Sequence, residues 1–250
     1  MSDLGLSLRY RVGHWLNLVH HTVLGSRLFP LTRMVRPGRN WIYDIQRHAG
    51  ARDFGVILDV GANSGQTAWL LVRYFRSSAI YAFEPVASSY RALQSVYGDR
   101  ICCMQMALGR EPARRQINLH SDSELNSFKE TRESATRTGS ELVEVTTVDQ
   151  FCHEYGINKI GVLKIDVQGW EEEVLAGAFG MLSNRRIQYI YAEVGFRKRD
   201  YDMQGFASFN ARMDELGYEF CGLYDTFRWG PAKLYAGFAN ALYARHDRSF

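Results

Sequence analysis

At 250 residues the chain has room for one decorated domain or two small ones, and for a full apolar core without disulfide or metal staples. A hydrophobic fraction of 46% with 23% charged residues excludes a disordered or fibrous chain and fits a soluble globular protein. A formal net charge of +3 makes no electrostatic case for nucleic acid, and no such partner is expected.

In chain order, Leu8, Val12, Trp15, Leu16, Val19 and Val23 recur at helical spacing. Arg9, Arg11, His14, His20 and His21 interrupt every apolar run there, so the segment reads neither as a secretory signal nor as a membrane span, and a cytoplasmic protein is expected. Pro30 and Pro37-Gly38 break the chain, and Trp41 to Arg47 has the makings of another helix. Residues 1–50 are therefore read as an N-terminal helical extension packed on a main domain of residues 51–250. Peripheral contact with a membrane surface through this basic amphipathic helix is the alternative.

From Gly55 the pattern alternates. Val56 to Val60 reads as a strand, Gln66 to Phe75 as a helix, Ala79 to Phe83 as a strand, Ser88 to Tyr97 as a helix and Ile101 to Leu108 as a third strand, which is a βαβαβ unit with a parallel sheet. A polar insertion of about residues 110–145 follows, either a solvated excursion or a substrate-facing loop. Leu142 to Val148 reads as a strand, and Thr147-Val148-Asp149-Gln150 as a capping box opening a short helix. Gly161 to Val167 is an apolar strand, Trp170 to Ala178 a helix, Ile187 to Val194 a strand and Phe206 to Leu216 a helix; Glu219 to Tyr224 and Tyr235 to Tyr243 close the chain as strands. The cysteines Cys102, Cys103, Cys152 and Cys221 form no C-x-x-C pair and read as small buried hydrophobes in a reducing compartment.

The chemistry is expected where Val56 to Gln66, VILDVGANSGQ, runs from strand into glycine-rich turn. No lysine follows Gly65, so the turn is not a P-loop. Asn63 occupies the second glycine position of a dinucleotide fingerprint, which weakens an NAD reading. S-adenosylmethionine fits better, because it has no phosphate to cradle and is positively charged, as suits a turn preceded by Asp59. Phe83-Glu84-Pro85 then ends the second strand with an acidic residue placed to take ribose hydroxyls.

Taken together, VILDVGANSGQ, YAFEPV, VLKIDVQGWEEEVLAGA and YIYAEV resemble the FkbM family of S-adenosylmethionine-dependent methyltransferases, over roughly Val56 to Val194. Gln168 departs from the glutamate that many members of that family carry at this position. The resemblance implies a Rossmann-like class I methyltransferase: an α/β fold with a mostly parallel seven-stranded sheet whose last strand is antiparallel. It also implies O-methylation of a sugar or natural-product hydroxyl.

Ligands of open α/β sheets bind beyond the carboxyl ends of the strands. Asp59, Gly61, Ala62, Asn63, Gly65, Glu84, Pro85 and Ala107 are accordingly assigned to cofactor binding. Asp166 and Glu193 are the candidate catalytic carboxylates. For Asp166 the alternative is capping of the helix after Trp170, and for the pair the alternative is Mg²⁺ binding. Glu171 is expected to favour the first turn of that helix by its charge, and His120 and His153 are expected at the surface. Trp170 and Trp229 are candidates for a pocket wall, with buried packing as the default. Arg197, Lys198 and Arg199 read as a solvated charge run, with an anionic acceptor as the alternative. The competing functions are a non-catalytic cofactor-binding protein, a nucleic-acid methyltransferase and, most distantly, an NAD oxidoreductase.

Overall fold

The computed structural model describes residues 37–49, 53–129, 136–197 and 203–246. Two compact units divide the chain, Met1–Gly50 and Ala51–Phe250. In the first, helix α1 (Trp41–Ala49) starts where Asn40 Oδ1 accepts the Tyr43 amide at 3.1 Å, a side-chain N-cap. The helix expected from Leu8 to Val23 lies outside the described residues.

The second unit runs β1 (Val56–Val60), α2 (Ala68–Tyr74), β2 (Ala79–Phe83), α3 (Ala87–Tyr97), β3 (Cys102–Met104), β4 (Ala107–Leu108), β5 (Ala113–His120), β6 (Arg137–Thr146), α4 (Val148–Glu154), β7 (Ile160–Ile165), α5 (Glu171–Ala176), α6 (Phe179–Ser183), β8 (Ile187–Gly195), α7 (Phe206–Glu215), β9 (Tyr218–Trp229) and β10 (Tyr235–Arg245). Seven strands form one sheet in the order β3-β2-β1-β7-β8-β10-β9. The first five in that order are parallel, and β10 is antiparallel to both β8 and β9. This is the Rossmann-like α/β sheet with an antiparallel final strand that the resemblance implies.

Strand composition explains the layering. All six positions of β7 are buried, as are four of the five in β1, because helices cover both faces of a central parallel strand. The main core gathers there, with Leu58, Leu163, Ile165, Ile190, Val194 and Phe209 among its fully buried members. Strand order reverses between β1, paired to β2 on one side, and β7 on the other. That reversal opens a crevice at the carboxyl ends of these strands.

Two differences from the sequence reading matter for the site. The expected strand Ile101–Leu108 is two strands: the chain bends at Gln105 and Met106, and Ala107–Leu108 leaves the main sheet to pair in parallel with β6. The polar insertion supplies two strands of a second, three-stranded sheet in the order β4-β6-β5, whose long β5–β6 pairing is antiparallel, and among its described residues the loop excursion lies between those two strands. Its apolar side is short. Ile117 and Val143 are buried with Val86, and Leu119 and Phe128 pack against them.

Candidate active site

The glycine turn is dictated by close packing. Gly61, Asn63 and Gly65 have φ of 80°, 48° and 100°, the left-handed region that glycine enters freely and asparagine more readily than most residues. A Cβ on Gly61 would stand 1.8 Å from the Asp166 carbonyl oxygen, and one on Gly65 would stand 2.5 Å from Tyr97 Cε2. The amides of Gly61 and Ala62 both donate to the Phe83 carbonyl, at 3.1 and 2.9 Å, so the turn folds over the end of β2. Asn63 anchors the neighbouring carboxylate. Its amide donates to Glu84 Oε2 at 2.9 Å, while the Val86 amide donates to Oε1 at 2.8 Å. Glu84 is thus held rigidly at the end of β2. Burial pushes its pKa up to about 7, against the pull of these two amides.

Sheet register assembles the charged row. Asp59 and Lys164 are direct partners across the β1–β7 ladder, so their side chains share one face. Lys164 Nζ lies 2.9 Å from Asp59 Oδ1, and both side chains are buried. Alternation puts Asp166 on the same face as Lys164, with Nζ to Oδ2 at 3.7 Å. Burial opposes the Lys164 charge, but Asp59, Asp166 and Glu193 outweigh it and raise its pKa above the ordinary lysine value. Tyr191 is the β8 partner of Lys164, and Glu193 follows two residues on, facing the same way. Gln168 Nε2 donates to Asp166 Oδ1 at 3.3 Å and to Glu193 Oε2 at 3.1 Å, tying the two carboxyl groups together. Burial, then the Asp166 and Glu171 carboxylates, push the Glu193 pKa up to about 9 despite Lys164 and Gln168, so Glu193 holds a proton at neutral pH.

Most of the expected site residues meet in one place. Gly61, Ala62, Asn63, Glu84, Pro85 and Ala107 line a cavity of about 410 Å³, which Asp166 and Glu193 line as well. Asp59 and Gly65 stand behind that lining. Asp59 is fully buried against Lys164, and Gly65 packs on Leu93 and Tyr97. The structure adds Lys164 and Gln168, together with residues 123–128, which follow β5. That segment is tied to both loops of the site, the one after β1 and the one after β7. Ser123 Oγ donates to Asn63 Oδ1 at 3.1 Å, Gln66 Nε2 to Glu124 Oε1 at 3.1 Å, and Ser127 Oγ to the Gln168 carbonyl at 2.8 Å. Trp170 also lines the cavity, its ring 5.0 Å from that of Phe128.

Several roles differ from those read in the sequence. Asp166 does not cap α5, whose N-cap residue is Trp170 and which has no side-chain cap. Glu171 stands in the first turn of α5 as expected, but it is buried there; its Oε1 accepts the Val167 amide at 3.3 Å and the Gly169 amide at 3.1 Å. His120 is buried, with Nδ1 2.9 Å from Thr136 Oγ1, because β5 turns its last residue inward; His153 is exposed, as expected. Of the cysteines only Cys152 is buried. Arg197 lies over the Trp229 ring at 4.3 Å, and residues 198 and 199 lie outside the described residues. The Mg²⁺ alternative meets an amide donor: Gln168 Nε2 stands between Asp166 and Glu193, and among the described residues no group of three or more His, Cys, Asp or Glu is arranged to hold a metal. Among the described residues no helix is long and apolar enough to cross a membrane.

Known proteins resemble this chain in sequence and in fold. A family model described as "Methyltransferase FkbM domain" matches residues 59–220. The 2-O-methyltransferase NoeI of Sinorhizobium fredii (strain NBRC 101917 / NGR234) is 27% identical over 155 residues, covering 55% of this chain and 62% of that protein. Methyltransferase 1 of Beauveria bassiana (strain ARSEF 2860) is 26% identical over 148 residues, covering 50% and 59%. The matches thus span about three-fifths of the length of each of these curated relatives. Among solved structures, the N-terminal domain of human METTL16 in complex with SAH superimposes with a TM-score of 0.47 at 10% identity, covering 83% of this chain and 68% of that one. The magnesium protoporphyrin IX methyltransferase (ChlM) of Synechocystis PCC 6803 with bound SAM gives 0.44 at 11%, covering 82% and 76%.

Proposed function

The chain belongs to the FkbM methyltransferase family, and from that premise we propose that it is an S-adenosylmethionine-dependent O-methyltransferase acting on a hydroxyl of a sugar, glycoconjugate or natural product. One observation carries this reading: a single cavity holds the glycine turn, the anchored Glu84 and the Asp166–Glu193 pair. Oxygen as the acceptor atom is supported by the name of the 2-O-methyltransferase relative, at 27% identity.

The residues present fit the cofactor. Glu84 uses one acceptor site of each oxygen on a backbone amide, and a carboxylate has about four such sites. The others remain for a ribose diol. Gly61, Ala62 and Asn63 let backbone approach the ligand closely, and Ala107 leaves room for a flat base. Bound there, the cofactor would supply a methyl group on a positively charged sulfur, ready for transfer to oxygen.

The protein's own part is to orient the acceptor and take its proton. Asp166 is assigned as proton acceptor. Its side chain is 35% exposed toward the cavity, whereas Glu193 already carries a proton at neutral pH. Protonated Glu193 donates a hydrogen bond that orients the hydroxyl. Gln168 holds the two carboxyl groups in one geometry, and buried Lys164 keeps positive charge beside Asp166.

The direct test is incubation with methyl-labelled S-adenosylmethionine and a panel of free sugars, nucleotide-sugars and lipid-linked glycans. Label in an ether of one panel member is the expected result, and label in none would defeat the reading. Asp166→Asn should lower kcat by about 100-fold, the ordinary contribution of a general base, with cofactor affinity unchanged in calorimetry. Equal turnover would leave Asp166 only a structural role.

A further inference from the structure

β9 and β10 continue as a two-stranded hairpin past the point where β10 stops pairing with β8, at Phe238 and Gly195. Residues 225–235 are all exposed, on both faces of the ribbon. Polar residues are the usual choice for such a tip, since an apolar exposed edge invites aggregation. Here Phe227 is 50%, Trp229 38% and Tyr235 50% exposed. These rings are ordered side by side. Trp229 pairs with Tyr235 and Phe227 with Phe238 across the ladder. The Trp229 and Tyr235 centroids lie 5.1 Å apart, and Phe227 and Phe238 stack at 4.8 Å with planes 12° apart.

A glycine lets two of the rings lie close against the backbone. Gly237 is buried beneath the rings, and a Cβ there would stand 2.9 Å from Phe227 Cδ1 and 3.4 Å from Trp229 Cδ1. Its inner end reaches the active site, because Phe238 lines the same cavity as Asp166 and Glu193. The rings therefore form one surface from the cavity mouth to the hairpin tip.

We propose that this strip is an acceptor subsite for sugar units next to the one that is methylated, so that the substrate is an oligosaccharide or glycan chain rather than a free monosaccharide. The inference rests on the O-methyltransferase reading above. Rigid aromatic rings lose little entropy on binding, and an exposed row of them, with the Arg197 guanidinium over one side of Trp229, offers apolar contact to the C–H face of a pyranose ring. From the Phe227–Phe238 pair to the Trp229–Tyr235 pair is two residues along a strand, roughly 7 Å at the usual rise, about one sugar unit further out. A lipid surface fits less well. Leu234 is the one aliphatic side chain among the exposed large hydrophobics of the tip, and Arg228 is engaged in the turn, donating to the Lys233 and Leu234 carbonyls at 2.9 and 2.6 Å.

The test uses the full chain and neutral mono- to tetrasaccharides of the cello, chito, manno and xylo series, with S-adenosylhomocysteine titrated in parallel. In at least one series, affinity by calorimetry and 1/KM for methylation should rise at least tenfold from one unit to three. The double variant Trp229→Ala, Tyr235→Ala should abolish that gain, leaving turnover of the monosaccharide and S-adenosylhomocysteine affinity as they were. Trp229→Phe should keep most of it, and the thermal midpoint of each variant shows that the fold is retained. Methylation without any dependence on chain length would overturn the subsite alone. So would a gain that survives the double variant, or sedimentation with phosphatidylcholine–phosphatidylglycerol vesicles that depends on Trp229. Cofactor binding with no panel member methylated would overturn the enzymatic reading and the subsite with it.

Discussion

At the scale of single residues, the site is governed by two contacts that allow almost no substitution. Gly61→Ala would drive a methyl group into the Asp166 carbonyl while holding a φ of 80°. Because that oxygen belongs to the backbone at the end of a central strand, no side chain can swing away. We expect a loss of at least about 3 kcal/mol in urea unfolding, the upper range for overpacking combined with backbone strain. Glu84 gives a subtler prediction. Its pKa of about 7 means that the carboxylate needed by a diol is half neutralised at neutral pH. S-adenosylhomocysteine affinity should therefore fall as pH drops from 8 to 6. Glu84→Gln should weaken binding by on the order of 2 kcal/mol and flatten the dependence. A pH profile that is the same in both proteins would take Glu84 out of the ribose role. Both residues were legible in the sequence, Gly61 from the turn and Glu84 from the end of the second strand. Lys164 was legible only as a member of VLKIDVQGWEEEVLAGA, with no role of its own. Its meaning depends on register with Asp59, which pairs residues more than a hundred positions apart and leaves no local trace.

At the scale of elements, the sequence was clear where apolar runs were long and misleading where sheets are thin. β1, β7 and β8 are near-continuous hydrophobic strands and were read almost to the residue. β5, ARRQINLH, and β6, RTGSELVEVT, bury only two residues each, because their small sheet covers few side chains on one side. Binary pattern cannot announce a strand whose partner, not its core, defines it. Of the capping box expected at Thr147–Gln150, the Thr147 half forms, but the Gln150 side chain donates to Glu154 Oε1 at 2.8 Å instead of returning to Thr147. Thr147 Oγ1 accepts the Gln150 amide at 2.9 Å and caps α4, and Asp149 between them serves a different helix. Its oxygens accept the amides of Gly180 and Met181, at 2.6 and 2.9 Å, in the first turn of α6. Two charge-assisted bonds join α4 to α6, so Asp149→Ala should cost about 2–3 kcal/mol in chemical denaturation, against about 1 for Thr147→Ala. A larger cost for Thr147 would mean that the local cap, not the bridge between helices, holds this layer.

At the scale of the whole molecule, a sheet that gathers buried acidic groups at one edge stores a pH dependence in the fold. Burial holds Glu84 and Glu171 at pKa about 7 and Glu193 at about 9, all above the 4.5 of an ordinary glutamate. Below pH 4.5 each is protonated whether the chain is folded or not, so the full contribution to stability is present. As pH rises the unfolded chain releases its protons first, and stability is lost progressively until each folded pKa is passed. On the acid side the sign reverses for Glu173, whose pKa Arg110 lowers, so its contribution fades as pH falls below the ordinary glutamate value. The urea midpoint of the ligand-free protein should therefore peak near pH 5 and decline toward pH 9. Glu171 is the cleanest probe of that slope: it lies outside the cavity lining, one oxygen takes two backbone amides, and Oε2 is buried with no hydrogen-bond partner. A glutamine keeps the accepting oxygen and cannot ionise. Glu171→Gln should remove on the order of 3 kcal/mol of the decline between pH 5 and 8. If variant and parent decline in parallel, the carboxyl at the start of α5 is not the group that titrates.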